Sequence, residues 1–185
     1  MHYIQNDYPN IPYPGPGEPD ETVADAGCGP CSCCIVVEAL TSNTFTPAEA
    51  VELALAVGAR DKSGTDISTL APFVCKKFGL HYELTNDCGH VLQFLQEGRG
   101  MAVANVGGNR EGYAGIFSEG GHFIVLAAAK GREIEILDPW REEGRFEKPG
   151  RQGKVRAESG RFYTDVGVIA RECDNRTPAY TLFFR

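Results

Sequence analysis

A cysteine at the mouth of a helix and a histidine facing an aspartate across a hairpin are the residues whose types and spacing could do chemistry. The loop before the cysteine ends in Gly27-Cys28-Gly29-Pro30, and a short apolar helix is expected from about Pro30 to Leu40. Proline suits a first helical turn, where its missing N–H costs nothing. Cys28 therefore falls at a helix N-terminus, where unpaired N–H groups and the helix dipole favour an anion. A thiolate is such an anion, and this setting lowers a cysteine pKa toward neutrality.

The second half of the constellation is a pair of strands, Phe123–Ala128 and Glu133–Leu137, joined through Ala129-Lys130-Gly131. A three-residue hairpin loop wants a left-handed residue at its end, which Gly131 supplies. Pairing Ala128 with Arg132 then sets His122 opposite Asp138. Opposed residues on one face sit about 4.5–5.5 Å apart at Cβ, within reach of an imidazole–carboxylate hydrogen bond. Cys28 as nucleophile, His122 as base and Asp138 as orienter make a complete acyl-transfer set.

The elements that must position these residues follow from local signals. Thr46-Pro47-Ala48-Glu49 opens a helix to about Val57, with a capping box and a proline at its first position. A helix over about 67–78 has Leu70, Phe73, Val74 and Phe78 at helical spacing with Cys75 facing the core. Residues 81–85 read as a strand and 89–96 as a helix capped by Asp87. Strands follow over 101–106, 122–128, 133–137, 161–164 and 181–184, with a short helix over 166–171. The glycine-rich loop 107–121 is long enough to cover a site. Residues 6–20 form a proline-rich irregular arm, and 141–160 read as a charged, solvated insertion. Trp140 is expected to pack over the His–Asp pair. Helices first and strands after give an α+β fold in one domain spanning 1–185.

Composition narrows the classes of function. The 185 residues carry a net charge of -7, which argues against a nucleic-acid or anionic-membrane surface. No apolar run approaches the ~18 residues of a membrane span, and the N-terminal residues lack the pattern of a signal peptide. Seven cysteines is an odd count, with Cys28, Cys31, Cys33 and Cys34 crowded into one helix as poor disulfide partners. Reduced thiols in the cytoplasm are expected. Four thiols along one helix cannot converge on one ion, so no metal is expected, and the chemistry needs no organic cofactor.

With those residues in view, the chain resembles the bacteriocin-processing, double-glycine-peptidase-like branch of the papain-like cysteine peptidases. The resemblance rests on Gly27-Cys28-Gly29-Pro30 at a helix start, Gly121-His122-Phe123-Ile124-Val125 opening a strand, and Leu137-Asp138-Pro139 ending the next, in that order. It covers about residues 3 to 140 and, more loosely, the tail through Tyr163 and Tyr180–Phe183. It implies a papain-like α+β fold, the roles already given to Cys28, His122 and Asp138, and a peptide or protein substrate. It also implies an upstream glutamine whose amide helps form an oxyanion hole. Gln5 matches in kind but stands 23 positions before Cys28, farther than in many members. Thr22, six before Cys28, has no amide and is a weaker stand-in, its hydroxyl offering one donor. The backbone N–H of Cys28 is the second donor.

Two other readings stay open on the same residues. A catalytically silent peptide-binding domain would keep the fold and need neither Cys28 nor His122. The string Cys28-Gly29-Pro30-Cys31 also spells a thioredoxin-type dithiol, which would need both cysteines, although here no buried strand leads into it.

Overall fold

The computed structural model describes residues 3–185. Two helices follow one another closely near the N-terminus, α1 (Val23–Ala26) and α2 (Cys28–Leu40), and then α3 (Pro47–Ala56). A two-residue-per-strand hairpin, β1 (Arg60–Asp61) and β2 (Gly64–Thr65), leads into α4 (Ile67–Phe78), β3 (His81–Thr85) and α5 (Cys88–Gln96). The remainder is β4 (Gly100–Val106), β5 (His122–Lys130), β6 (Glu133–Leu137), β7 (Arg156–Glu158), β8 (Arg161–Asp165), α6 (Val166–Cys173) and β9 (Tyr180–Phe184). Seven of the strands form one antiparallel sheet in the order β3-β9-β4-β5-β6-β8-β7.

The alternation of side chains along the central strands fills two cores, one on each face. Val103, Val125 and Phe183 point to the face covered by α2, α3 and α4, where Cys33, Cys34, Val37, Leu70 and Val74 are buried. Ala104, Ile124, Leu126 and Leu182 point to the other face, against Phe94 of α5 and Ile169 of α6. The N-terminal helices thus pack on the C-terminal sheet as the sequence predicts, and α5 and α6 close the opposite side.

Local rules explain most boundaries. Thr46 and Glu49 form the expected capping box of α3, and Asp87 caps α5 by accepting from Gly89 N and His90 N. The cysteine helix begins two residues earlier than predicted, at Cys28, because Cys31 N already donates to Gly27 O at 2.9 Å. Gly27 lets α1 run directly into α2: a Cβ there would lie 2.4 Å from Val23 O. One residue of the predicted apolar stripe of α4 is misplaced, since Phe73 is 45% exposed.

The hairpin register differs from the prediction in an instructive way. Lys130 pairs with Glu133, so the loop is the two residues Gly131 and Arg132, with φ positive only at Gly131 (57°). That is the pattern of a tight II′ turn rather than a three-residue loop. Continued unbroken, this pairing would set Asp138 opposite Val125, on the wrong face. A bulge between Leu126 and Ala128 shifts the register by one, so Leu126 meets Ile136 and Val125 meets Leu137. Asp138 follows on the face of Ile124 and His122. The two side chains share a face as diagonal neighbours, not as a directly opposed pair.

The proline-rich arm folds back on itself. Val23 N donates to Ile11 O and Tyr13 N to Glu21 O, so residues 14–20 make an excursion between two paired flanks. Fully buried Tyr13 anchors it through a 2.7 Å hydrogen bond with Thr65. The segment 141–160 is not uniformly solvated, as charge and glycine content predict, because Arg145 and Arg151 are both buried. No helix among the described residues is long and apolar enough to cross a membrane.

Candidate active site

Cys28 is the first residue of α2 and remains partly exposed, while Cys31, Cys33 and Cys34 on the same helix are buried. His122 is the first residue of β5, held in the sheet opposite Val106 of β4, and Asp138 leaves the end of β6. The structure brings the three together. His122 Nε2 lies 2.7 Å from Asp138 Oδ1, with His122 8% exposed and Asp138 1%. The histidine also hydrogen-bonds the Cys28 thiol. With Nε2 committed to the carboxylate, Nδ1 is the nitrogen left for sulfur.

The electrostatics follow from this chain of contacts. Burial works against a charged Cys28, but the hydrogen bond and charge of His122, with the backbone amides of Phe123 and Gly29, outweigh it and lower the thiol pKa. Burial likewise works against a charged His122, yet Asp138 and then Cys28 raise its pKa to about 9. Asp138 is pulled below the usual carboxylate range against its own burial by His122, Arg145 and the Trp140 amide. Both directions favour a charged pair, thiolate on Cys28 and imidazolium on His122. The other six cysteines all shift the opposite way. Burial pushes Cys33 to about 12 and Cys75 to about 11, and raises Cys31, Cys34, Cys88 and Cys173 as well.

Gln5, at the start of a 3-10 turn (Gln5–Asp7), is buried on the wall of the cleft that holds Cys28 and His122. The distance in sequence is closed from the far end of the site. Gln5 N donates to Pro139 O at 2.7 Å, and Arg141 N donates to Asn6 Oδ1, so the start of the chain is stitched to the exit of β6. Gln5 Nε2 donates to Ala24 O at 2.9 Å, which uses one of its two amide hydrogens, and its buried Oε1 has no partner among the described residues. Thr22 is not available as the substitute donor, because its hydroxyl and its backbone amide both donate to the Asp25 carboxylate.

One contact of the site escaped the sequence. Arg145 Nη2 lies 2.6 Å from Asp138 Oδ2, with both side chains buried. A charged, glycine-rich segment gives no hint that one of its arginines turns inward. Trp140 is half-buried, donates its backbone amide to Asp138 Oδ1 at 2.9 Å, and lines the Gln5 cleft.

Two clefts meet at Cys28, Gly120, Gly121 and His122. One, of about 430 Å³, carries Gln5 and Trp140; the other, of about 370 Å³, runs under the β1–β2 hairpin to Arg176. The loop 107–121 borders both and is pinned by Glu172 of α6. That buried carboxylate accepts from Tyr113 Oη, Ile116 N and Phe117 N at 2.6–3.0 Å. Near the site, Gly29 faces Thr65 so closely that a Cβ would lie 2.7 Å from the threonine side chain.

Among solved structures, a candidate C39-like peptidase from Bacillus anthracis superposes with a TM-score of 0.56 and 10% identity, over 87% of this chain and 90% of that one. The peptidase domain of Streptococcus ComA, a bifunctional ABC transporter involved in a quorum-sensing pathway, gives a TM-score of 0.46 and 17% identity. It matches over 61% of this chain and 72% of its own. No protein-family model and no curated protein matches the chain. This likeness shows the fold: the chain has the papain-like, C39-type peptidase fold.

Proposed function

We propose that the chain, acting as one domain over residues 1–185, is a cysteine peptidase or a closely related thiol acyl-transfer enzyme working on a peptide or similar amide bond. The observation that carries this reading is the contrast among thiols. Cys28 alone has a lowered pKa, and its partner is an imidazole held by a buried carboxylate.

In this mechanism the Cys28 thiolate attacks the substrate carbonyl carbon, and the carbonyl oxygen takes the negative charge. The Cys28 backbone N–H and the second amide hydrogen of Gln5 receive that oxyanion. The C–N bond breaks as His122 gives its proton to the leaving amine, leaving a thioester on Cys28. Water, deprotonated by His122, then attacks the thioester and restores the thiolate–imidazolium pair. Asp138 holds the imidazole in orientation and stabilises its charged form. Thiol–disulfide exchange through Cys31 is disfavoured, since Cys31 is fully buried with its pKa raised.

The test is the rate of iodoacetamide labelling at each cysteine from pH 4 to 9, with His122→Ala alongside, followed by p-nitrophenyl acetate turnover. Rapid labelling of Cys28 alone, slowed by His122→Ala, together with acyl turnover that Cys28→Ser abolishes, is the expected result. Labelling of Cys28 at the rate of an ordinary thiol, indifferent to His122, would make this a silent binding domain on a peptidase fold.

A further inference from the structure

The cleft that Gln5 does not line contains an arginine with no anionic partner among the described residues. Arg176, in the turn before β9, lines it together with Cys28, Gly121 and His122. Its guanidinium packs on the residue preceding the histidine: a Cβ on Gly121 would come within 2.5 Å of Arg176 Nη2. Nη2 makes a long hydrogen bond, 3.5 Å to Gly107 O, and the buried Nε has no partner among the described residues. Among the described residues no carboxylate pairs with it.

The acids of the same cleft are occupied elsewhere. Asp66 accepts from the amides and hydroxyls of Ser68 and Thr69, and Asp61 accepts from Ser63. A partly desolvated guanidinium with spare donors is costly to keep and well suited to an oxyanion taken in bidentate fashion, which on a peptide substrate is a carboxylate. We infer that the substrate carries a carboxylate close to the scissile bond and that Arg176 receives it, which makes Arg176 a determinant of specificity for acidic peptides. This rests on the reading of Cys28 as the reactive thiol.

The carboxylate can be a side chain or a free chain end, and matched alkylating reagents separate the two. Bromoacetyl-glycine and its amide differ only in an α-carboxylate. The α-amides of bromoacetyl-glutamate and bromoacetyl-glutamine differ only in a side-chain carboxylate. In each case the thiolate forms a C–S bond and bromide leaves, so no natural substrate is needed. Mass spectrometry of the full-length protein reads the rate at Cys28.

In wild type, at least one acidic reagent is expected to outpace its neutral twin by about tenfold, the scale of one charge-assisted contact. Arg176→Gln is expected to bring that ratio near one, and Arg176→Lys to keep part of it. The pair that responds identifies the α-carboxylate or the side chain as the source. Absence of any preference in wild type, or a preference that survives Arg176→Gln, overturns the assignment. If instead the neutral reagents alkylate Cys28 no faster than free cysteine, with no effect of His122→Ala, the reading of the site itself fails, and the assignment with it.

Discussion

Arg145 Nη2 lies 2.6 Å from one oxygen of Asp138 and His122 Nε2 lies 2.7 Å from the other, so a single buried carboxylate is divided between a fixed cation and an imidazole. Together with Cys28 this makes a line of alternating charges. Removing one member of a buried, hydrogen-bonded pair leaves an uncompensated charge and typically costs 3–5 kcal/mol. Arg145→Gln is therefore expected to lower stability by about 3 kcal/mol in urea unfolding, with Arg145→Lys recovering part of the loss. A loss below about 1 kcal/mol would mean that His122 and the Trp140 amide hold Asp138 by themselves.

The pH dependence of folding carries a second signature. His122, raised from 6.5 to about 9, stabilises the fold fully below pH 6.5 and loses that contribution as the pH rises through about 9. Cys28, lowered, does the reverse: its contribution is absent below its own depressed pKa and grows as the pH rises toward the ordinary thiol value. Between about pH 6.5 and 9 the two oppose each other, because a proton moves within the pair without leaving the protein. Wild-type stability is expected to vary less over that window than it would with the His122 contribution alone. Cys28→Ser, which leaves His122 and Asp138 unopposed, is expected to lose stability as the pH rises. A level profile in Cys28→Ser would refute the pairing.

Gln5 separates two chemical steps. Alkylation of a thiolate by iodoacetamide develops no oxyanion, whereas acyl transfer does. Gln5→Ala is expected to cut p-nitrophenyl acetate turnover by about 10²-fold, the usual cost of one oxyanion donor, while the labelling pH profile of Cys28 keeps its midpoint. Equal losses in both assays would point to a disturbed N-terminal turn, since Gln5 also bonds Ala24 and Pro139.

Glu172 is expected to control the loop beside the site. Its carboxylate holds Tyr113, Ile116 and Phe117, and glutamine in its place offers one acceptor oxygen where the loop needs two. Hydrogen exchange at Ile116 and Phe117 is expected to accelerate at least tenfold in Glu172→Gln, with the amides of α2 unaffected. Unchanged protection of those two amides would place the loop's anchor elsewhere.

Much of the architecture was legible because its determinants are local. Helix starts at Thr46 and Asp87 follow from side chains that bond amides two or three residues away. The position of Cys28 follows from a glycine and a proline beside it. Even the shared face of His122 and Asp138 was legible, although by a faulty register. The turn is one residue shorter than predicted and a bulge between Leu126 and Ala128 restores the face. Such a bulge depends on how the neighbouring strands pack, and no local signal marks it.

The sequence by itself determined the order of elements, the alternation that splits the sheet into two cores, and the residue types able to act as nucleophile, base and orienter. Only the tertiary structure decided that they meet and what surrounds them. Gln5 reaches the cleft because the chain start is bonded to Pro139, more than a hundred residues away. Arg145 reaches Asp138 because a segment with every mark of a solvated loop turns one charge inward. Among the described residues Arg176 has no carboxylate partner in the cleft it shares with His122, whose acids bond nearby hydroxyls and amides. The physical reason is common to all three. Charged and amide side chains carry no periodic signature, and their partners are set by long-range closure of the fold.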